Sequence, residues 1–150
     1  VLFDIKLADS AAHRAWTQAP NEVIIRILRI ISDSGTPLII RIPLIPGVND
    51  TEEELRNIAR LLTANLKKLV KVNLLPYHKF GLGKYQMLDR KYDLEDLNTQ
   101  SEDQIQQSKR LFESYGFECE IEGELTFFRS IADDNRGISR ECSPDRFSSV

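Results

Sequence analysis

Clustered cysteines are the most informative feature that this 150-residue chain lacks. Its two cysteines, Cys119 and Cys142, lie far apart, and neither has a second thiol at the spacing of a metal site or a redox pair. The sequence therefore carries no motif of a cysteine metal site or a dithiol redox centre, and we assign no metal ligand. We expect both thiols to be structural or incidental, and we expect a reducing, cytoplasmic location.

Long hydrophobic runs and an excess of positive charge are also missing. No apolar run approaches the roughly 20 residues that cross a bilayer, and no basic segment precedes an apolar core at the start. The net charge of −3 gives no reason to expect a nucleic-acid partner. The chain begins with valine inside a strand-like pattern, so we expect a fragment of a longer protein.

Strand and helix patterns alternate along the part of the chain that is present. Apolar runs predict strands, whereas apolar residues at positions i, i+3 and i+4 predict helices. Capping-box spacing marks the start of two helices, Gly35 stands where a helix C-cap glycine belongs, and "GVND" predicts a turn. In chain order the predictions are strand Val1–Leu7, a helix from about Asn21 to Ser34, strand Leu38–Ile45, a helix opening at Thr51–Glu54, strand Val70–Leu75, a helix from Ser101 to about Tyr115, and an edge strand in "FECEIEG".

This order predicts an α/β fold with parallel strands joined by right-handed crossovers. The residues leave two architectures open, namely a piece of an α/β barrel and a doubly wound sheet. In both, functional groups gather at the carboxyl ends of the strands. We predict one domain over residues 1–123, followed by an irregular or disordered tail over 124–150, which is polar and aperiodic.

Four polar residues stand where the strands are otherwise apolar. Asp4 and Lys6 are two positions apart and therefore leave the same face of a strand. Arg41 lies between two isoleucines, and His78 follows directly on "LLPY". Burying an unpaired charge costs several kcal/mol, so we expect these groups to share a polar cavity. Such a mixture of charges suits a charged ligand, for example an amino acid or a phosphate.

Each of these residues also has an ordinary structural interpretation. Asp4 and Lys6 could form an ion pair on a wet sheet face, Arg41 could pair with a helix carboxylate, and His78 could be a loop histidine. Of two further candidates, His13 is predicted to lie in a polar loop, and Trp16 is predicted to be a core or lid residue.

Three segments, "DIKLADSAAHRAWTQAPN", "GTPLIIRIPLIPGVNDTEEEL" and "VNLLPYHKFGLGKYQML", resemble the C-terminal half of the glycyl-radical enzyme activating proteins. These proteins, of the pyruvate formate-lyase activating type, belong to the radical S-adenosylmethionine superfamily. The resemblance covers residues 1–123 and implies a partial (β/α)₆ TIM-like barrel. Its last three strand–helix units would correspond to this chain.

The resemblance also implies a function. In the family, a [4Fe–4S] cluster reductively cleaves S-adenosylmethionine, and the resulting 5′-deoxyadenosyl radical abstracts hydrogen from a glycine of the partner glycyl-radical enzyme. The resemblance assigns Asp4, Lys6, Arg41 and His78 to the cofactor-binding site. The family's cluster motif C-x-x-x-C-x-x-C is absent, so we predict that this chain alone is inactive and contains no catalytic residue. At Gln18 the family commonly has glycine.

Two other functions stay open at this stage. An aldolase-like barrel would use Lys6 to form a Schiff base, although a carboxylate as near as Asp4 keeps a lysine charged. A non-catalytic fragment would only bind a partner protein, or associate with itself through an exposed sheet edge.

Overall fold

A computed structural model describes residues 1–68, 70–78 and 97–122. Within them, four parallel strands form one sheet in the order β1-β2-β3-β4. The elements are β1 Leu2–Asp4, α1 Ser10–Thr17, α2 Glu22–Ser34, β2 Ile39–Leu44, α3 Glu52–Asn65, β3 Lys71–Pro76, α4 Glu102–Ser114 and β4 Glu118–Ile121.

The apolar core lies between the helices and one face of this sheet. Side chains alternate between the two faces of a strand, so every second residue of β2 and β3 contributes to the core. The core residues of the strands pack against apolar residues of α2, α3 and α4. At its centre, fully buried, lie Leu28, Ile40, Ile42, Ile58, Leu62, Val72, Leu74 and Phe112.

The opposite face of the sheet has a different composition. Because register partners in parallel strands share a face, Asp4, Arg41, Asn73 and Glu120 form one row across the four strands. None of these side chains belongs to the core cluster of the described residues. We call this the second face, meaning the side that carries Leu2, Asp4, Ile39, Arg41, Lys71, Asn73, Glu118 and Glu120.

The structure confirms the predicted parallel α/β fold and distinguishes between a barrel segment and a doubly wound sheet. A doubly wound sheet carries helices on both faces and reverses its strand order at a switch point. Here the strands follow chain order, and the described helices in the core cluster cover one face alone. This arrangement is that of a barrel segment. No described helix has the length and apolar character needed to cross a membrane.

The helix boundaries follow local chemistry. Gly35, predicted as a cap, ends α2 with a φ of 73°. Ser101 and Gln104 form the predicted capping box, because each side chain accepts from the other's backbone N–H, at 3.3 and 2.9 Å. At α3, Thr51 caps the helix as predicted, but Glu54 does not reach back to it. The Glu54 carboxylate accepts instead from Ala8 N–H, at 2.7 Å.

Two sequence predictions were wrong about the region after β1. The strand is three residues long, and Ser10–Thr17 forms the helix α1 where we predicted a polar loop. The pattern concealed this helix because His13 is its one buried residue. Asp9 begins α1, since its side chain accepts from Ala12 N–H at 2.7 Å. The predicted tail over 124–150 lies outside the described residues.

Candidate ligand-binding site

Asp4 and Arg41 are directly paired on the second face. They are register partners in β1 and β2, so their side chains leave the sheet side by side. Both Nε and Nη2 of Arg41 lie 2.8 Å from Asp4 Oδ1. About a third of each side chain is exposed, at 33% and 35%, which limits the pair's contribution to stability to about 1 kcal/mol.

This pairing corrects two of the ordinary interpretations. Asp4 pairs with Arg41 of the neighbouring strand and not with Lys6, and Arg41 reaches a strand carboxylate and not one on a helix. The sheet therefore brings these two predicted site residues together. Both contacts converge on one oxygen of Asp4, so the second oxygen, Oδ2, stays outside the pair and can accept from another donor.

Asn73 adjoins Arg41 on β3 and was missed from the sequence. It is 4% exposed, and its Nδ2 donates to the carboxylate of Glu122. An ionised carboxylate only accepts hydrogen bonds, so Glu122 fixes the amide with its oxygen pointing away. Among the residues that the structure describes, that buried oxygen, Oδ1, has no hydrogen-bond donor. An unsatisfied buried acceptor costs about 1–3 kcal/mol, so a ligand that donates to it recovers that cost.

Charge continues along the second face toward β4. Lys71 Nζ lies 2.6 Å from Glu120 Oε2. The hydrogen bond that Lys71 donates to Glu120 is the largest cause of the raised pKa of Lys71, with smaller contributions from the charges of Glu118 and Glu122. The second face therefore carries two ion pairs, Asp4–Arg41 and Lys71–Glu120, with the amide of Asn73 beside both, and this mixture of charges suits a zwitterionic ligand.

Lys6 and His78 lie at the carboxyl edge of the sheet. Lys6 follows β1 and is exposed, and His78 follows β3 and is also exposed. In a parallel sheet these ends lie at the same edge, so both residues border the mouth of the second face. Their roles as ligand contacts stay predictions.

Asn49 holds the chain after β1 in position and was read from the sequence as part of a turn. It is 1% exposed, and its Nδ2 donates to the carbonyls of Lys6 and Pro43, both at 2.7 Å. Its Oδ1 accepts from Ile45 N–H at 2.7 Å. One buried amide thus joins the ends of β1 and β2 and fixes the backbone at Lys6.

Asn21 completes this attachment from the start of α2. Its Nδ2 donates to the carbonyls of Leu7 and Ala8, at 3.1 and 2.9 Å, and the residue is 3% exposed. These hydrogen bonds from Asn21, together with the one that Glu54 accepts from Ala8 N–H, fix the loop that carries Lys6. A polar residue beside a turn in the sequence does not reveal such long-range partners.

The predictions for His13 and Trp16, both on α1, fare differently. His13 is buried, and its Nδ1 lies 2.7 Å from the carbonyl of Ala19. A carbonyl only accepts, so Nδ1 carries the proton and the ring closes the end of α1. This is the structural role expected of His13, on a helix rather than in a loop. Trp16 is 57% exposed, so the prediction of a core residue was wrong, and a lid role stays a prediction.

Cys119 is buried on the core side of β4. Burial is the main cause of its raised pKa, about 12, with a smaller effect from Glu113. The thiol is therefore protonated at neutral pH, whereas metal ligands are thiolates. Its packing in the apolar core supports the structural interpretation of Cys119, while Cys142 lies outside the described residues. Within the described ranges, no group of three His, Cys, Asp or Glu side chains could hold a metal ion.

Comparison with known proteins identifies the relatives of this chain. The trans-4-hydroxy-L-proline dehydratase activating enzyme of Clostridioides difficile is 38% identical over 122 residues, which is 81% of this chain and 40% of that enzyme. The isethionate sulfite-lyase activating enzyme of Oleidesulfovibrio alaskensis is 49% identical over 92 residues, or 60% of this chain and 29% of that enzyme. This chain is related to the glycyl-radical enzyme activating enzymes.

A solved structure agrees with this relationship. The crystal structure of a domain of pyruvate-formate lyase-activating enzyme from Bacteroides vulgatus superimposes with a TM-score of 0.65 and 32% identity. The match covers 81% of this chain and 66% of that one. No family model matches the chain. The resemblance predicted from the sequence is thus confirmed, and the chain spans about 40% of the first curated relatives it matches.

Proposed function

We propose that this chain is the C-terminal part of a glycyl-radical enzyme activating enzyme, and that its second face binds S-adenosylmethionine. The observation that carries the proposal is the row formed by the Asp4–Arg41 pair and the unsatisfied amide oxygen of Asn73. It supports a ligand that offers both a hydrogen-bond donor and an anionic acceptor within a few ångströms.

S-adenosylmethionine fits this row by its charges. Its carboxylate suits the guanidinium of Arg41 or the ammonium of Lys6, and charge-assisted hydrogen bonds of this kind contribute roughly 1.5–3 kcal/mol. Its ammonium and ribose hydroxyls are donors that suit Asp4 Oδ2 and Asn73 Oδ1. When bound, it supplies the radical chemistry of the family, whereas the residues of this chain hold and orient it. His78 then borders the ligand at the carboxyl edge.

An iron–sulfur cluster, unlike S-adenosylmethionine, finds no suitable ligands among the described residues. Such a cluster is held by cysteine thiolates, and Cys119 is a buried, protonated thiol on the core side of the sheet. We therefore infer that the cluster ligands belong to another part of the full-length protein. The isolated chain is proposed to bind ligand without catalysing a reaction.

The partner follows from the same relationship. The relatives are named as activating enzymes of trans-4-hydroxy-L-proline dehydratase, isethionate sulfite-lyase and choline trimethylamine-lyase. We infer that the full-length protein acts on a glycyl-radical enzyme in the cytoplasm. The proposal specifies the partner only by its chemical class, an enzyme that carries a glycyl radical. No observation favours the Lys6 Schiff base, because a reactive lysine is desolvated and Lys6 is exposed.

Calorimetric titration of the 150-residue chain with S-adenosylmethionine tests the proposal. We expect saturable binding that weakens at least about tenfold in Arg41→Gln, because losing one charge-assisted hydrogen bond costs roughly 1.5 kcal/mol or more. Arg56→Gln is the matched control, since Arg56 is an exposed arginine of α3 paired with Glu52. Absence of saturable binding, or equal weakening in both variants, would contradict the proposal.

A further inference from the structure

The strands of the sheet end in a regular way at two of their three junctions. In a parallel pair, the C=O group of a residue accepts from the N–H group of the residue that follows its register partner. Arg41 C=O accepts in this way from Ile5 N–H at 2.9 Å, where β1 ends beside β2. Leu74 C=O accepts from Glu122 N–H at 2.8 Å, where β4 ends beside β3. Both ladders therefore close with a direct backbone hydrogen bond.

The amide side chain of Gln100 stands at the corresponding place between β2 and β3. The register partner of Leu44 is Pro76, so the same rule assigns Leu44 C=O to Tyr77 N–H. Tyr77 N–H donates instead to Gln100 Oε1 at 3.2 Å, and Gln100 Nε2 donates to Leu44 C=O at 3.3 Å. Because a primary amide has both an acceptor and donors, one side chain satisfies both strand ends and holds them apart.

A carboxylate fixes the orientation of this amide. Gln100 Nε2 also donates to Asp50 Oδ2 at 3.2 Å, while Asp50 Oδ1 accepts from Gly47 N–H at 2.8 Å. An ionised carboxylate only accepts hydrogen bonds, so the NH₂ group of Gln100 faces Asp50 and its oxygen faces Tyr77. Asp50 and Gln100 directly precede the residues that cap α3 and α4, so the starts of both helices meet at this contact.

The backbone that carries Gln100 has a rigid support. The next residue, Ser101, forms the reciprocal capping box with Gln104 at the start of α4. The same helix is anchored in the apolar core by Phe112, which is fully buried. A side chain that reaches another segment from such a support can hold that segment in one place.

We propose that Gln100 is a positioning residue for the ligand site, because it sets the course of the chain from Tyr77 to His78. The proposal rests on the proposed function, in which His78 borders the ligand. Tyr77 is 9% exposed and its N–H group is held by Gln100, so His78 leaves the sheet from a fixed point. Without the amide, Leu44 C=O and Tyr77 N–H can close to a direct hydrogen bond, which would carry His78 toward β2.

The first test compares Gln100→Met, which keeps the side-chain length without the amide, with Gln107→Met, at an exposed glutamine of α4. In nuclear magnetic resonance spectra of the ¹⁵N-labelled 150-residue chain without ligand, Gln100→Met should shift the backbone amide signals of Tyr77 and His78. Gln107→Met should leave both signals in place. Asp50→Asn, which turns a donor toward the Gln100 NH₂ group, should shift the same signals to a smaller extent, and it decides the question if Gln100→Met does not fold.

The second test measures S-adenosylmethionine binding by calorimetric titration. We expect the affinity to fall at least about fivefold in Gln100→Met, because the contact from His78 is displaced, and to stay unchanged in Gln107→Met. Added to His78→Ala, Gln100→Met should weaken binding by less than about twofold, because Gln100 acts through His78. A merely structural role of Gln100 would give the same loss of affinity with and without His78.

Three results would overturn the proposal. The first is a folded Gln100→Met, or Asp50→Asn in its place, that leaves the signals of Tyr77 and His78 unmoved. The second is an unchanged affinity in a variant whose His78 signal has moved, and the third is an equal loss of affinity with and without His78. If the unmodified chain does not bind S-adenosylmethionine, the proposed function fails by itself, and the spectra without ligand still decide whether Gln100 positions His78.

Discussion

The two outer strands of the described sheet differ in how their edges meet solvent. β4 carries exposed glutamates at positions 118 and 120, with Glu122 directly after it. Charged side chains on an edge strand discourage pairing with other chains. The side of β1 instead presents Val1 and Leu2, both more than half exposed, and the neighbouring helix α2 exposes Val23, Ile27 and Ile30. The comparison teaches that, within the described sheet, the edge at β4 is protected by charge, whereas the edge at β1 is more apolar.

The two outer strands of the described sheet are also held in place by different kinds of contact. β4 is attached through side chains on the second face, namely the Lys71–Glu120 ion pair and the Asn73–Glu122 hydrogen bond. The chain after β1 is attached by the buried amide of Asn49. Changes at each edge should therefore produce different effects, which the following predictions use.

The largest expected effect on the free energy of unfolding comes from a change at the β1 side of the sheet. Asn49→Ala removes three hydrogen bonds of 2.7 Å and leaves their backbone partners unsatisfied. We expect the free energy of unfolding, measured by urea denaturation, to fall by about 3 kcal/mol. Asn98→Ala is the control at an exposed asparagine, with an expected change within about 0.5 kcal/mol. Equal effects at the two positions would contradict the role of Asn49.

A pH effect is expected at the β4 side. The pKa of Cys119 is raised from 9.0 to about 12 in the fold, so the unfolded chain loses this proton first as pH rises. The free energy of unfolding should therefore fall above pH 9, by about 1 kcal/mol per pH unit until about pH 12. Cys119→Val should have a flatter profile over this interval. A slope equal to that of the unmodified chain would show that another group titrates.

The smallest expected effect is at the end of α1, next to the β1 side. Gln18 has a φ of 63°, a left-handed conformation that costs a side chain about 1 kcal/mol relative to glycine. Gln18→Gly should raise the free energy of unfolding by about 0.5–1 kcal/mol, in the direction of the glycine common in the resembling family. Gln107→Gly, within α4, is the control and should lower it by about 1 kcal/mol. Destabilisation by Gln18→Gly would contradict this account of the turn.

Sequence patterns predicted what depends on neighbours along the chain. The runs of apolar residues located β2 and β3, and Gly35 and the Ser101–Gln104 box located helix ends. Alternation within "FECEIEG" located β4, which is the outermost strand on its side of the described sheet. These features depend on periodicity and on contacts within one helical turn, so the sequence carries them directly.

Contacts between distant segments were not predicted in the same way. The sequence identified Asp4 and Arg41 as candidates, but their pairing depends on the register of β1 and β2. Asn49 resembled any turn asparagine until its partners at Lys6 and Pro43 were known. A lone amide in "VKVNLL" was the available signal for Asn73, and its unsatisfied oxygen could be recognised only in the folded sheet.

The most direct test of the central claim observes the second face itself during ligand addition. Nuclear magnetic resonance of the ¹⁵N-labelled chain, titrated with S-adenosylmethionine, should show saturable shifts of the Asn73 side-chain amide and of Arg41 Nε–H. The side-chain amide of the exposed Asn98 should stay unchanged. Saturation at Asn73 and Arg41 with one common affinity is the predicted result. Shifts that avoid both residues, or that spread equally to Asn98, would contradict the proposal that this face is the ligand site.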